Sequence, residues 1–85
     1  MKQFSYVLTQ DGALQGRRAG NLSRAASRFL STVRLSGENG AAALRQAREI
    51  AALGVRRGSR VTVTVEGSDE EAAVAAIQDY FVSNL

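Results

Sequence analysis

Apolar positions along the chain switch between a two-residue period and a three-to-four-residue period, and each switch marks the edge of an element. In "QFSYVLT" (3–9), Phe4, Tyr6 and Leu8 alternate with polar neighbours while Val7 falls on the other face, the pattern of a strand buried on one side. "QDG" (10–12) turns the chain. From Arg17 to Leu30 the spacing is helical, with Ala19, Leu22, Ala25, Ala26, Phe29 and Leu30 sharing one face. "STVRLS" (31–36) alternates again, Val33 and Leu35 inward, and "GENG" (37–40) reads as a hairpin turn into a short edge strand at 41–44. "LRQAREIAAL" (44–53) predicts a short helix that carries Arg45 and Glu49 as a reversed i,i+4 pair and stops at Gly54. "RVTVTVE" (60–66) is the clearest strand, with Val61, Val63 and Val65 on one face. Ser68-Asp69-Glu70-Glu71 then forms a capping box and opens a helix to about Val82, its inner side made by Ala73, Val74, Ile77, Tyr80 and Phe81. Strands and helices interleaved around a central hairpin predict an α+β fold, an antiparallel sheet with helices on one face.

Length and composition narrow the chemistry. A chain of 85 residues predicts a single domain over 1–85. A domain of that size buries only about 60–65% of the surface its unfolded chain exposes, which leaves little room for an enzyme cleft. There is no Cys and no His, so thiolate and imidazole metal ligands and histidine acid–base chemistry are excluded, and no metal or cofactor is expected. No apolar run is long enough to span a bilayer, and "MKQFSYVLTQ" lacks the apolar core of a signal peptide; the expectation is a soluble cytoplasmic protein.

Charge adds one feature. Ten of the eleven basic residues are Arg, the side chain suited to bidentate contact with carboxylate or phosphate. High-GC codon usage gives the same bias with no function behind it. At about 100° per residue, Arg17, Arg24 and Arg28 fall in a stripe about 40° wide, away from the apolar face of the first helix. Arg24 and Arg28 are like charges at i,i+4, a small cost unless something acidic neutralises them. The net charge of +3 is too mild for a dedicated nucleic-acid binder, and Phe29, Tyr80 and Phe81 lie on apolar faces rather than among the arginines.

"DGALQGRRA" before the first helix, Phe29 at its end, "NG" in the hairpin, "LGV" after the second helix and "GSRVTVTVEGSDEEAAV" together resemble the HPr-like family, the phosphocarrier HPr and Crh proteins of the bacterial sugar phosphotransferase system. The resemblance covers the whole chain. It implies an open-faced sandwich, a four-stranded antiparallel sheet of order 1-4-2-3 covered on one face by three helices. It also implies a first-turn motif, Gly-Leu-His-x-Arg-Pro-Ala, whose His receives a phosphoryl group from enzyme I. Here that position is Gln15, and a carboxamide has no basic nitrogen to phosphorylate. The Arg of the motif matches Arg17, and the Pro is replaced by Arg18. The regulatory Ser that many relatives carry at the start of the second helix matches Gln46. Crh-like proteins share the Gln at the first position but keep that Ser, so this chain departs from both patterns.

These readings predict a non-enzymatic, HPr-like regulatory or adaptor protein without histidine phosphocarrier activity. Its partner would be a protein with an acidic surface: a phosphotransferase-system component, a kinase or a transcription regulator. Arg17, Arg24, Arg28, Arg45, Ala47, Arg48 and Ala51 would form the contact. A weak anion site is expected at Gly16, Arg17 and Arg18, where a helix start exposes free N–H groups. The alternatives are phosphoryl transfer through Ser23 or Ser27, or a basic anion- or nucleic-acid-binding module, with the loop arginines Arg56, Arg57 and Arg60 as the competing anion site. Either a monomer or a strand-exchanged dimer fits.

Overall fold

A computed structural model describes all residues, 1–85. The chain runs β1 (Lys2–Val7), α1 (Gly16–Ala26), β2 (Thr32–Gly37), β3 (Gly40–Ala43), α2 (Ala47–Ala52), β4 (Arg60–Glu66) and α3 (Glu70–Asn84). The sheet order is β1-β4-β2-β3 and every neighbouring pair is antiparallel. In register, Phe4 faces Val63, which faces Leu35 on β2, and Tyr6 faces Val61. The alternation of apolar residues therefore places one continuous apolar layer under the helices. The other face carries Ser5, Thr62, Ser36, Arg34 and Arg60, and Ser5 Oγ lies 3.1 Å from Thr62 Oγ1.

Eighteen buried residues form one core, drawn from every helix and from strands β1, β2 and β4 or their flanks. Phe81 is its centre, meeting Phe4 and Tyr6 edge-to-face at centroid distances of 5.4 and 5.6 Å. Ala13 and Leu14, from the loop before α1, are 1% exposed and plug the end of that core. The expected core side of α3 is found: Ala73, Ile77 and Phe81 are buried, with Val74 and Tyr80 half-buried beside them. No helix is long and apolar enough to cross a membrane.

Several element edges differ from expectation, each for a hydrogen-bonding reason. The first helix stops at Ala26, not Leu30, because the amides of Leu30 and Ser31 are taken by the Asp69 carboxylate at 2.8 and 2.9 Å. Leu30 is consequently 82% exposed rather than part of the apolar face, and Arg28 lies in the turn that follows the helix. The second helix covers only 47–52, since the Leu44 amide donates across to the Val33 carbonyl at 2.9 Å and continues the sheet. The Arg45–Glu49 pair does not form; the Arg45 guanidinium donates to the Phe29 carbonyl. β1 ends at Val7, as Thr9 turns to donate from its amide and its hydroxyl to the Leu85 carbonyl, both at 3.0 Å.

The start of α3 is not the capping box that "SDEE" suggests. Ser68 makes no capping bond, and Glu70 reaches back to accept from the Gly67 amide at 3.2 Å. Its second oxygen holds the Met1 ammonium at 2.7 Å. Asp69 faces away from its own helix, accepting from the Leu30 and Ser31 amides and from the Ser31 hydroxyl. That hydroxyl, then the Leu30 amide, hold the Asp69 carboxyl below its ordinary value. A carboxyl with a lowered folded-state pKa contributes stability that is complete above its unfolded value near 4 and is lost as pH falls through the lower folded value. Asp69→Asn should therefore lower the melting temperature at neutral pH and flatten the stability profile below about pH 4. An unchanged acid limb in thermal melts would contradict this.

Candidate functional site

Three segments meet at the N-terminal end of α1: the loop before it, the helix itself and the C-terminal end of α3. Gln15 is its N-cap, with extended backbone (φ −123°, ψ 155°) and an exposed side chain that makes no capping bond. Its carbonyl accepts from the Arg18 and Ala19 amides at 3.2 and 3.4 Å. Gly16 follows with φ +56°, a conformation that costs an L residue about 1–2 kcal/mol. No neighbouring atom lies within 4 Å of the position a Cβ would take, so the constraint there is backbone shape rather than space. Arg17 is exposed and points to no protein acceptor.

Arg18 has a different occupation from the anion contact expected of it. Its Nη1 donates to the Asp11 carbonyl at 3.2 Å, and Nη2 donates to the Asn84 carbonyl at 3.0 Å and to Gln10 Oε1. The guanidinium thus closes the C-terminal end of α3, where unsatisfied carbonyls carry the negative pole of the helix. Its amide is spent on Gln15, so only Gly16 and Arg17 keep free N–H groups at this end. Arg18→Ala should cost about 1 kcal/mol and loosen residues 82–85 in amide exchange. Protection of those amides equal to the parent's would show that the clamp is idle.

The other arginines of the expected contact lie on α1, α2 and the turns beside them. Arg17 and Arg24 are seven residues apart, two helical turns or about 10 Å. α1 packs on α2, and the Ser23 hydroxyl donates to the Arg45 carbonyl at 2.8 Å between them. Arg24 donates to Asn21 Oδ1, and Arg45 spans to the Phe29 carbonyl, so both are held by neutral acceptors. The two ion pairs of the structure, Met1–Glu70 and Arg57–Asp11, lie elsewhere. Arg17, Arg24, Arg28, Arg45 and Arg48 are therefore exposed and have no carboxylate partner. Ala47 and Ala51 are half-buried among them and leave the surface low. Gln46 is the exposed N-cap of α2, without a capping bond.

Of the two serines on the arginine side of α1, Ser23 is 9% exposed and occupied with Arg45, whereas Ser27 is exposed. Arg56, Arg57 and Arg60 form a second basic group in and after the loop 54–59, but Arg57 already faces Asp11 at 3.8 Å. The two concavities of the surface lie at Gly67–Ala72 and between Glu38, Asn39 and Val55, neither at Gln15. No group of acidic side chains is placed to hold a metal ion. Sequence reasoning missed the Asp69 latch and the Arg18 clamp. The signal for the first was present in a glycine followed two residues later by Asp; the second joins residues 66 positions apart.

Residues 2–83 match the family model PTS-HPr, the PTS HPr component phosphorylation site. The phosphocarrier protein HPr of Mycoplasma genitalium is 32% identical over 79 residues, covering 92% of this chain and 90% of its own. The crystal structure of HPr-C-His from Thermoanaerobacter tengcongensis superimposes with a TM-score of 0.91 at 30% identity, covering 99% and 94% of the two chains. Crh of Bacillus subtilis, solved as an intertwined, swapped dimer, gives 0.77 at 26% identity over 100% and 98%. With its sheet order, its helix placement and nearly its whole length matched, the chain belongs to the HPr family of the phosphotransferase system.

Proposed function

We propose that this HPr-family protein has left the histidine phosphocarrier role and acts as a regulatory or adaptor protein, binding an acidic protein partner through α1 and α2. The observation that carries this reading is the pairing of two facts. The exposed N-cap that presents the acceptor in the resembled motif is Gln15, in a chain without any His. The adjoining surface of α1, α2 and their turns nevertheless keeps five exposed arginines with no internal carboxylate. Uncompensated like charges cost stability, and an acidic partner removes that cost while gaining steered association. Ala47 and Ala51 offer little apolar area, so specificity rests on charge, and binding should weaken with salt.

The reading makes the protein a binding module rather than an enzyme, acting without a cofactor, as a monomer or as a strand-exchanged dimer. Gly16 and Arg17 keep a weak anion site as part of it: helix-terminus charge effects are worth about 0.3–1 kcal/mol and a charge-assisted hydrogen bond from Arg17 about 1.5–3 kcal/mol, together millimolar phosphate at best. Incubation with phosphoenolpyruvate and enzyme I tests the first half. An HPr control should gain one acid-labile phosphoryl group by intact mass, and this chain should gain none. A stoichiometric acid-labile gain would overturn the proposal.

A further inference from the structure

Ser27 stands at the C-cap of α1, where the chain leaves the helix for the irregular stretch 27–31. The neighbouring serines are enclosed: Ser23 is 9% exposed between α1 and the Arg45 carbonyl, and Ser31 is 1% exposed and bound to Asp69. Ser27 is exposed, with Arg24 three residues before it and Arg28 immediately after, both lacking a carboxylate. Leu30, three residues further on, is 82% exposed and is the most exposed large apolar side chain of the protein. An enzyme cleft with acidic and apolar subsites would read Arg24, Arg28 and Leu30 together around one exposed hydroxyl.

We propose that Ser27 is a phosphorylation site for an arginine-directed protein kinase using a nucleoside triphosphate, and that modification there switches off the α1–α2 face. Ser27 Oγ forms a bond to the γ-phosphorus, the bond from that phosphorus to the bridging oxygen of the β-phosphate breaks, and the nucleoside diphosphate leaves. The hydroxyl proton passes to the base of the kinase. The local consequence follows from the hydrogen bond that is lost. Ser27 Oγ–H now donates to the Ser23 carbonyl at 2.8 Å, which also accepts from the Ser27 amide at 3.0 Å. A phosphorylated oxygen cannot donate, and a phosphate carrying about −1.5 to −2 charges is repelled by the carbonyl end of a helix. The last turn of α1 opens, and Arg24 and Arg28 turn inward to the phosphate. Those are two of the five arginines on which the proposed partner contact rests, so the effect on binding depends on that proposal, whereas the site itself does not.

The test uses the full chain, magnesium ATP and a purified arginine-directed serine kinase, read by intact mass and peptide mapping. One phosphoryl group on Ser27 is expected, abolished in Ser27→Ala and retained in Ser27→Thr. Arg24→Ala and Leu30→Ala should each slow the reaction several-fold. NMR of the product should show loss of helical shifts at residues 24–27 with the core resonances unchanged. No mass gain would overturn the proposal, as would a gain that maps to Ser68 or Ser83 or that persists in Ser27→Ala. Mapping and helix opening stand without any partner, so their failure is distinct from failure of the adaptor reading.

Discussion

Gly67→Ala should destabilise the protein by about 2–4 kcal/mol, combining overpacking with backbone strain. Gly67 follows β4 with φ +154°, and a Cβ there would stand 2.6 Å from both Cα and Oγ of Ser31. Ser31 cannot simply step aside. Its amide and hydroxyl are bound by Asp69, two residues beyond Gly67, so the glycine and the aspartate grip the same residue from one short turn. Against a total stability of about 5–15 kcal/mol for a small domain, this is a large fraction. Gly20→Ala provides the contrast, since Gly20 lies inside α1 with nothing within 4 Å of its Cβ position. That variant should gain about 0.5–1 kcal/mol from helix propensity. Denaturant melts of the two variants should therefore move in opposite directions. A Gly67→Ala loss under about 1 kcal/mol would show that the loop 28–31 is not held by the α3 start.

The contrast also shows which parts of the fold were legible in the sequence. Strands were easiest: β4 alternates Val61, Val63 and Val65 without interruption, and all three are buried. Helix existence was legible from periodicity, but helix ends were not. Apolar spacing alone carries α1 on to Leu30, whereas Asp69, 39 residues away from Leu30, decides that it stops at Ala26. Likewise Leu44 looks helical and is captured by Val33 across the sheet. Ala13, Leu14 and Leu85 belong to no periodic segment, so their burial was invisible until the chain closed around them. At the site, the identity of residue 15 and the lack of any His could be read directly. The division of labour between neighbouring arginines could not: Arg17 is free while Arg18 is spent on α3, and only the fold distinguishes them.

The proposed contact face has the largest expected functional effect. Arg24→Glu with Arg48→Glu should weaken partner binding about 100-fold or more, since close charge pairs at an interface couple by several kcal/mol and reversal turns attraction into repulsion. Both residues are exposed on helices and neither touches the core, so the double variant should melt within a few degrees of the parent. Arg56→Glu with Arg57→Glu is the matched control, with the same charge change in the loop before β4. The decisive measurement is affinity for the acidic protein captured from source cells on the immobilised chain, compared among parent, helix variant and loop variant at fixed ionic strength. The account predicts that the helix variant loses the partner and the loop variant keeps it. Equal binding by parent and helix variant, or loss confined to the loop variant, would contradict it.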